Sequence, residues 1–572
     1  MYITKEPTFK YKYGFGFYYS LEILNFCRSL KMKYGYNNFG YEDRKWRFND
    51  LAFVDIIIKR FPEVEIDSNI LKDLHEYRIQ RKRIIKKAKR AEELKKAITS
   101  NIEIPKIKGE LYPYQKIGVE FLINNNGKAI LADQMGLGKS VESLAYILHT
   151  KKKKTLVICP ASVKYVWEGE IEKFTDLKSF VIDAKMELSD ISVDQHDIII
   201  VNYDILRKFY HLLLKTQFDC VICDEFHYIK NIRAKRTRLA MMLAKKIPSV
   251  LLLSGTPLLS RPIELFNGLN LMDPFKWNNW KKYSIRYCNG RQGYWGWEAR
   301  GATNIDELRS KINRYFLRRT KDEVLKELPP KRFIDYPVKL DNGTWEKYQL
   351  AEKSFIEYLR NVKKKKIRQL DVQALKLVKL NELRQICTHG KVSVAKEIIQ
   401  GIVDSGEKTI VYSMYNKPLK DLHNEFKDIS VLLLGSTPTI ERKQIVEEFQ
   451  NNADIKIFFG GTKSAGIGIT LTAASNVLFL DYSWVPSDHK QAEDRAHRIG
   501  QKAESITIYQ LFSKNTIDEK MKSILGEKQR LFDRLIEKEG IPTQKEVSLL
   551  GGMLRLFERK SIKDLTSEKQ GV

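Results

Sequence analysis

From about residue 127 the chain alternates two hydrophobic patterns. Short unbroken apolar runs (Lys128–Ala132, Thr155–Cys159, Asp197–Val201, Asp219–Cys223 and Val250–Ser254) are separated by stretches with apolar residues at helical spacing, such as Ser140–His149 and Ser162–Phe174. Val/Ile/Leu runs without polar alternation suit strands buried on both faces, the habit of parallel sheets, and the helical stretches supply the crossovers. This predicts an α/β lobe over residues 101–273. The pattern resumes at Thr409–Ser413, Val431–Leu434, Ile455–Phe459, Asn476–Leu480 and Ser505–Leu511, predicting a second α/β lobe over 408–515.

The flanking segments read differently. Tyr11–Asp67 is rich in aromatics with a modest αβ pattern, and Glu76–Lys96 is a strongly basic helical stretch, so residues 1–100 form a small basic accessory αβ domain. The interval 274–407 reads as linker and helical protrusions. It holds a Trp/Gly-rich patch (Gly293–Gly301), Leu328-Pro-Pro-Lys331 and a Lys363–Lys366 run. Such a run is usually a solvated helix face, and it also suits phosphate contact. Residues 516–572 read as a C-terminal helix (Asp518–Glu539) and a polar tail.

Composition narrows the partners. At 572 residues the chain exceeds one hydrophobic core, and 100 Lys+Arg against 71 Asp+Glu leave a formal charge of +29. Such an excess favours a polyanion, nucleic acid being the usual one. The N-terminus lacks a signal-peptide pattern, and no apolar run approaches the ~20 residues that span a bilayer. The expectation is a soluble intracellular monomer with no membrane partner, in the cytoplasm or nucleoid of a bacterial or phage-infected cell. Cys220 and Cys223 form a C-x-x-C, but inside an apolar run and without a second pair, so buried strand thiols are expected rather than zinc ligands.

Two segments carry most of the chemistry. Asp133-Gln-Met-Gly-Leu-Gly-Lys-Ser140 follows a strand and opens a helix, where backbone N–H groups and the helix N-terminus bind phosphate. Met135, Gly136, Leu137 and Gly138 would line the nucleotide's phosphates, Lys139 would reach the β- and γ-phosphates, and Ser140 would ligate Mg²⁺. The strict G-x-x-x-x-G-K-S pattern fails at its first position, which is Asp133. Asp224-Glu225-Phe-His227 ends a later strand as a Walker B element should. Asp224 is the second candidate Mg²⁺ ligand, and Glu225 the candidate general base for the attacking water. Ser254-Gly-Thr256-Pro257 ends the next strand, where its hydroxyls can bond the Walker B carboxylates. Gln491-Ala-Glu-Asp-Arg-Ala-His-Arg-Ile-Gly-Gln501 is the second segment, with arginines spaced to reach a phosphate from a separate lobe.

Taken in order, Tyr112-Pro-Tyr-Gln115, Asp133–Ser140, Asp224–His227, Ser254–Pro257, Ser464–Leu471 and Gln491–Gln501 resemble the Swi/Snf-type ATPases of helicase superfamily two. The resemblance covers about residues 110–520 and implies two tandem RecA-like lobes with helical insertions. It implies ATP and Mg²⁺ as cofactors, Gln115 and Gln491 at the nucleotide, Arg498 as an arginine finger and Arg495 beside it on the phosphates. It also implies that Ser464, Gly466 and Gly468 contact the tracked strand, while His227, Ser254 and Thr256 relay nucleotide state to it. Departures are Gln134 for the usual Glu, Phe226 for a small residue, and Ala465 where a glycine is common. Arg286-Tyr-Cys288, Gly293–Asn304, Glu307-Leu308 and Arg318–Val324 further resemble the annealing-helicase branch. Tyr41–Phe48 resembles the HARP module of that branch, with an unrelated accessory domain as the alternative.

These features imply a DNA-dependent ATPase that translocates on double-stranded or forked DNA and anneals or remodels it, with single-strand-binding or replication proteins as further partners. The competing readings are a strand-separating helicase, a remodeller of protein–DNA complexes, an RNA-directed motor, and a DNA-binding structural protein with a vestigial nucleotide site.

Overall fold

The computed structural model describes residues 1–5, 12–34, 39–42, 44–255, 262–293, 296–299, 301–325, 327–364, 369–462, 469–483 and 486–523. Thr256, Ser464, Gly466 and Gly468 lie outside the described residues, as does most of the Asp518–Glu539 stretch. Two compact units divide the chain, Met1–Glu93 and Leu94–Val572.

The first unit is built on β1 (Tyr2–Lys5), β2 (Tyr13–Gly16), β3 (Phe39–Glu42), β4 (Lys45–Phe48) and β5 (Glu65–Ile66), in the order β3-β4-β2-β1-β5. Its aromatics explain themselves here: Phe15, Trp46, Phe48 and Phe53 fill one core with Ile57 and Leu74. Buried Asp55 accepts from Arg78 at 2.8 Å and Arg81 at 3.3 Å, tying the basic helix Ser68–Lys96 to that core.

The second unit contains two parallel sheets. The first comprises β6 (Lys128–Leu131), β7 (Thr155–Cys159), β8 (Ser179–Val181), β9 (Ile198–Asn202), β10 (Cys220–Cys223) and β11 (Ser249–Leu253). All residues of β7, β9, β10 and β11 are buried, as their unbroken apolar runs predict, and Cys220 and Cys223 are among them. The Trp/Gly patch contributes a short hairpin, β12 (Arg291–Gly293) with β13 (Gly296–Glu298), whose Trp297 Nε1 donates to Ser284 Oγ at 2.9 Å. A further strand, β14 (Phe316–Leu317), joins β6, giving the order β14-β6-β11-β10-β7-β9-β8.

The second sheet comprises β15 (Lys331–Val338), β16 (Thr409–Ser413), β17 (Ser430–Leu433), β18 (Ile457–Gly461), β19 (Asn476–Phe479) and β20 (Ile506–Ser513), in the order β15-β20-β19-β16-β18-β17. The two RecA-like lobes expected from the sequence are therefore present. The interval 274–407, however, is not linker throughout. It gives β14 to the first sheet and β15 to the second, so the lobes are joined through the short stretch between Leu317 and Lys331. Neither strand carries a periodic signal. β14 is two residues long, and β15 is an edge strand whose Phe333, Ile334 and Tyr336 are exposed. In the rest of the interval, the helix Asn342–Lys364 packs on Gln369–His389 through Tyr348, Phe355, Leu380 and Leu383. No helix among the described residues is long and apolar enough to cross a membrane.

Candidate active site

β6 delivers the chain into a loop that turns on Gly136 (φ +85°) and Gly138 (φ +83°), after which the helix Lys139–His149 begins. Both glycines are in the left-handed region, which a side chain rarely adopts. A Cβ at Gly138 would collide with the Gln115 amide. Gln115 is buried; its Nε2 donates to Leu137 O at 3.1 Å and its Oε1 accepts from Tyr112 N at 3.0 Å. Gln115 thus ties the loop to the start of the helix Pro113–Asn124. Met135 packs against the backbone of Gly255. Lys139 Nζ donates to Asp133 O at 2.8 Å and Gln134 O at 3.4 Å, and Ser140 occupies the first turn behind it.

The order β6-β11-β10 brings three strand ends together. Asp224 follows β10. Its Oδ2 accepts from Trp167 Nε1 and its Oδ1 from Glu225 N, both at 2.9 Å, and its carbonyl accepts from Tyr203 at 2.8 Å. Burial, with the neighbouring Glu225 charge, pushes the Asp224 carboxyl up to about 6, an environment that a bound cation would relieve. Glu225 sits at φ +48°, in the left-handed region that a non-glycine residue adopts only at a cost. Ser254 Oγ, from the end of β11, donates to Glu225 Oε2 at 3.4 Å, and His227 Nδ1 lies 3.1 Å from the same oxygen. Burial raises the Glu225 carboxyl, but His227, Lys139 and Arg495 outweigh it and hold the group below its ordinary value. Its carboxylate is thus ionised near neutral pH.

The second lobe supplies the helix Pro486–Ala496 and the turn after it. Gln491 and Arg495 lie four residues apart and so share a helix face. Arg495 is buried and donates to Ile469 O at 3.2 Å; burial and the Arg498 charge push it down to about 10. Arg498 donates to Thr470 Oγ1 at 2.9 Å, and its Cγ lies 3.2 Å from where a Gly136 Cβ would stand. The arginine turn of one lobe thus rests on the phosphate loop of the other.

Sequence reasoning left several residues of this site without a role. Trp167 lies in a helical stretch, and only its position beside Asp224 reveals its work. Asp133, noted as a break in the loop pattern, is fully buried; Arg319 Nε donates to its Oδ2 at 3.0 Å, and Arg319 Nη2 donates to Glu142 Oε1 at 2.8 Å. The side chain that departs from the glycine pattern anchors the loop to the strand beside it. Arg319 stands in the Arg318–Val324 run, where the available signal was a family likeness rather than a chemical motif.

Known proteins match the chain over most of its length. The SNF2-related domain model matches residues 114–392 and the helicase conserved C-terminal domain model matches 390–500. The chain is 33% identical over 439 residues to the SWI/SNF-related matrix-associated actin-dependent regulator of chromatin subfamily A-like protein 1 homolog of Caenorhabditis elegans, covering 74% of this chain and 61% of that protein. It is 32% identical over 441 residues to the DNA annealing helicase and endonuclease ZRANB3 of Mus musculus, covering 74% of this chain and 41% of that one. The Sulfolobus solfataricus SWI2/SNF2 ATPase core in complex with dsDNA is 27% identical, covering 77% of this chain and 95% of that one, with a TM-score of 0.38. The two domain models run without a break from the residues before the phosphate loop to the arginine turn that rests on it, and the chain belongs to the SNF2-related family of helicase-type nucleotide-using proteins.

Proposed function

We propose that the chain is an ATP-dependent translocase on double-stranded DNA that anneals or remodels it at forks and bubbles. The observation that carries the reading is the approach of Arg498 to Gly136, which sets a cation from the second lobe against the loop that holds phosphates in the first. Lys139 and the loop N–H groups bind the ATP phosphates, Gln115 reads the adenine edge, and Glu225 orients the attacking water and accepts its proton. Arg495 and Arg498 stabilise charge that develops as the γ-phosphoryl group leaves. Ser140 and Asp224 would hold Mg²⁺, which neutralises phosphate charge when bound. Because the arginines arrive from the other lobe, hydrolysis and lobe closure are one event, and reopening releases the grip on the DNA backbone.

The formal charge of +29 supports a polyanionic track, and the names of the annealing helicase and SWI/SNF-related relatives support DNA as that track. The test is steady-state ATP hydrolysis by the purified chain with linear duplex, forked DNA, single strand and no DNA, alongside closure of a single-stranded bubble and displacement of a strand from a fork. Duplex and forked DNA are expected to stimulate hydrolysis severalfold, and the bubble to close in an ATP-dependent manner. Equal hydrolysis with and without DNA would overturn the reading. Strand displacement without bubble closure would replace it with a strand-separating helicase.

A further inference from the structure

The residues after β14 continue alongside the start of the phosphate loop. Ala132 N donates to Leu317 O at 2.8 Å, Arg318 Nη1 to Ala132 O at 2.9 Å, Gln134 N to Arg319 O at 3.0 Å, and Lys321 N to Gln134 Oε1 at 2.9 Å. Thr320 then caps a short helix, with its N–H donating to Glu323 Oε2 at 2.7 Å. Residues 317–321 are thereby fixed to the loop that cradles phosphate.

The side chain of Lys321 leaves this strap and enters the second lobe. Its Nζ donates to Asp494 Oδ1 at 2.8 Å and to the carbonyl of His497. Lys321 is 1% exposed and Asp494 2%. Asp494 immediately precedes Arg495, and His497 immediately precedes Arg498. The Lys321 stem also lies on the loop, its Cε 3.4 Å from where a Gly136 Cβ would stand, next to Arg498 Cγ at 3.2 Å. Lys331, at the start of β15, reinforces the arrangement by donating to Glu493 Oε2 at 3.0 Å and Asp494 Oδ1 at 3.4 Å, while His497 Nε2 lies 2.9 Å from Pro329 O.

A buried ion pair is poor value as a general stabiliser, because two charges lose their hydration to form it. Its use is geometric: in a dry site, one partner fixes where the other must sit. Here the two partners belong to different lobes, and one of them adjoins both arginines. We propose that Lys321 is a positioning residue whose pairing with Asp494 sets the reach of Arg495 and Arg498 over the phosphate loop, so that the strap reports the state of the loop to the arginine turn. This rests on the hydrolytic role proposed above.

The test compares wild type, Lys321→Met, Asp494→Asn and the double variant by ATP hydrolysis, by titration with a fluorescent ATP analogue and by thermal melting. Each single change is expected to lower kcat about 100-fold, the scale of a small misplacement of a reacting group, with KM for ATP and analogue affinity changed less than about threefold. The double variant is expected to be no worse than the more impaired single one, because the two act as a unit. Additive losses, an unchanged kcat, or a loss of analogue binding and melting temperature in step with kcat would each overturn the proposal, the last by assigning the pair to packing alone. Wild-type hydrolysis that DNA does not stimulate overturns the translocase reading and leaves this comparison intact, since basal turnover carries the same kcat readout.

Discussion

The two lobes bring their chemical groups to the nucleotide site by different means. In the first lobe, Lys139, Asp224, Glu225 and Ser254 follow the ends of β6, β10 and β11, which are adjacent in one sheet. Those strands are almost entirely buried, so their register, and with it the spacing of the groups, is set by the core. In the second lobe, Arg495 and Arg498 stand at the end of a helix and in the turn beyond it, and their placement depends on Thr470, Ile469 and residues of the first lobe. One half of the site is built by folding of a sheet. The other is completed by contact between lobes, which makes it the half that motion can make and unmake.

The largest effects should divide along that line. Lys139→Ala and Arg498→Ala are each expected to reduce turnover by a factor on the order of 10³ or more, the usual scale for a phosphate lysine or an arginine finger. They should differ in ATP affinity. Lys139 belongs to the preassembled half, so its loss weakens binding, whereas Arg498 acts as charge develops, so its loss leaves binding nearly unchanged. Single-turnover hydrolysis with nucleotide titration checks this; equal loss of affinity in both variants would erase the distinction between the lobes.

A smaller effect is expected behind the catalytic groups. Trp167→Phe keeps a buried ring but removes the donor to Asp224, the candidate cation ligand. Groups that orient a ligand in this way commonly contribute 10- to 100-fold. About a tenfold fall in kcat is expected, with more Mg²⁺ needed for half-maximal rate. A Mg²⁺ titration that superimposes on wild type would remove Trp167 from the site.

The contrast between lobes also explains what could be read from the amino-acid sequence. Sheet strands such as β7 and β9 declare themselves because burial on both faces demands an unbroken apolar run, and the phosphate loop declares itself because Gly136 and Gly138 must take positive φ. The arginines of Gln491–Gln501 were legible by their spacing as phosphate-reaching groups, and family resemblance singled out Arg498 as the finger, since no local rule says which loop of another lobe an arginine will meet. Trp167, Arg319 and Lys321 were illegible in role for the same reason: their partners Asp224, Asp133 and Asp494 lie 57, 186 and 173 positions away. β15 escaped because its apolar residues neither alternate nor run unbroken, Asp335 and Pro337 interrupting Phe333, Ile334, Tyr336 and Val338.

The smallest expected effect concerns the anchor of the preassembled half. Arg319 faces two carboxylates, Asp133 and Glu142, and both are fully buried. Burial, with the Asp133 charge beside it, outweighs the pull of Arg319 and Lys139 and pushes the Glu142 carboxyl up to about 8. Near neutral pH Glu142 is therefore expected to carry a proton, and Glu142→Gln replaces it with a neutral side chain of the same shape that still accepts from Arg319. Turnover at pH 7 should change less than about twofold, a substitution that preserves the hydrogen bond being nearly neutral. The sign of the pH dependence follows from linkage. A carboxyl raised on folding contributes stability that is fully present below its ordinary pKa of 4.5 and is lost as pH rises through about 8. Wild type should thus lose melting temperature relative to Glu142→Gln as pH is raised from about 4.5 to about 8, and the gap between the two curves reports Glu142 together with the groups coupled to it. Parallel curves would mean that Glu142 is ionised beside Asp133, and that the loop of the first lobe, like the arginine turn of the second, is held by charge rather than by the neutral packing of its sheet.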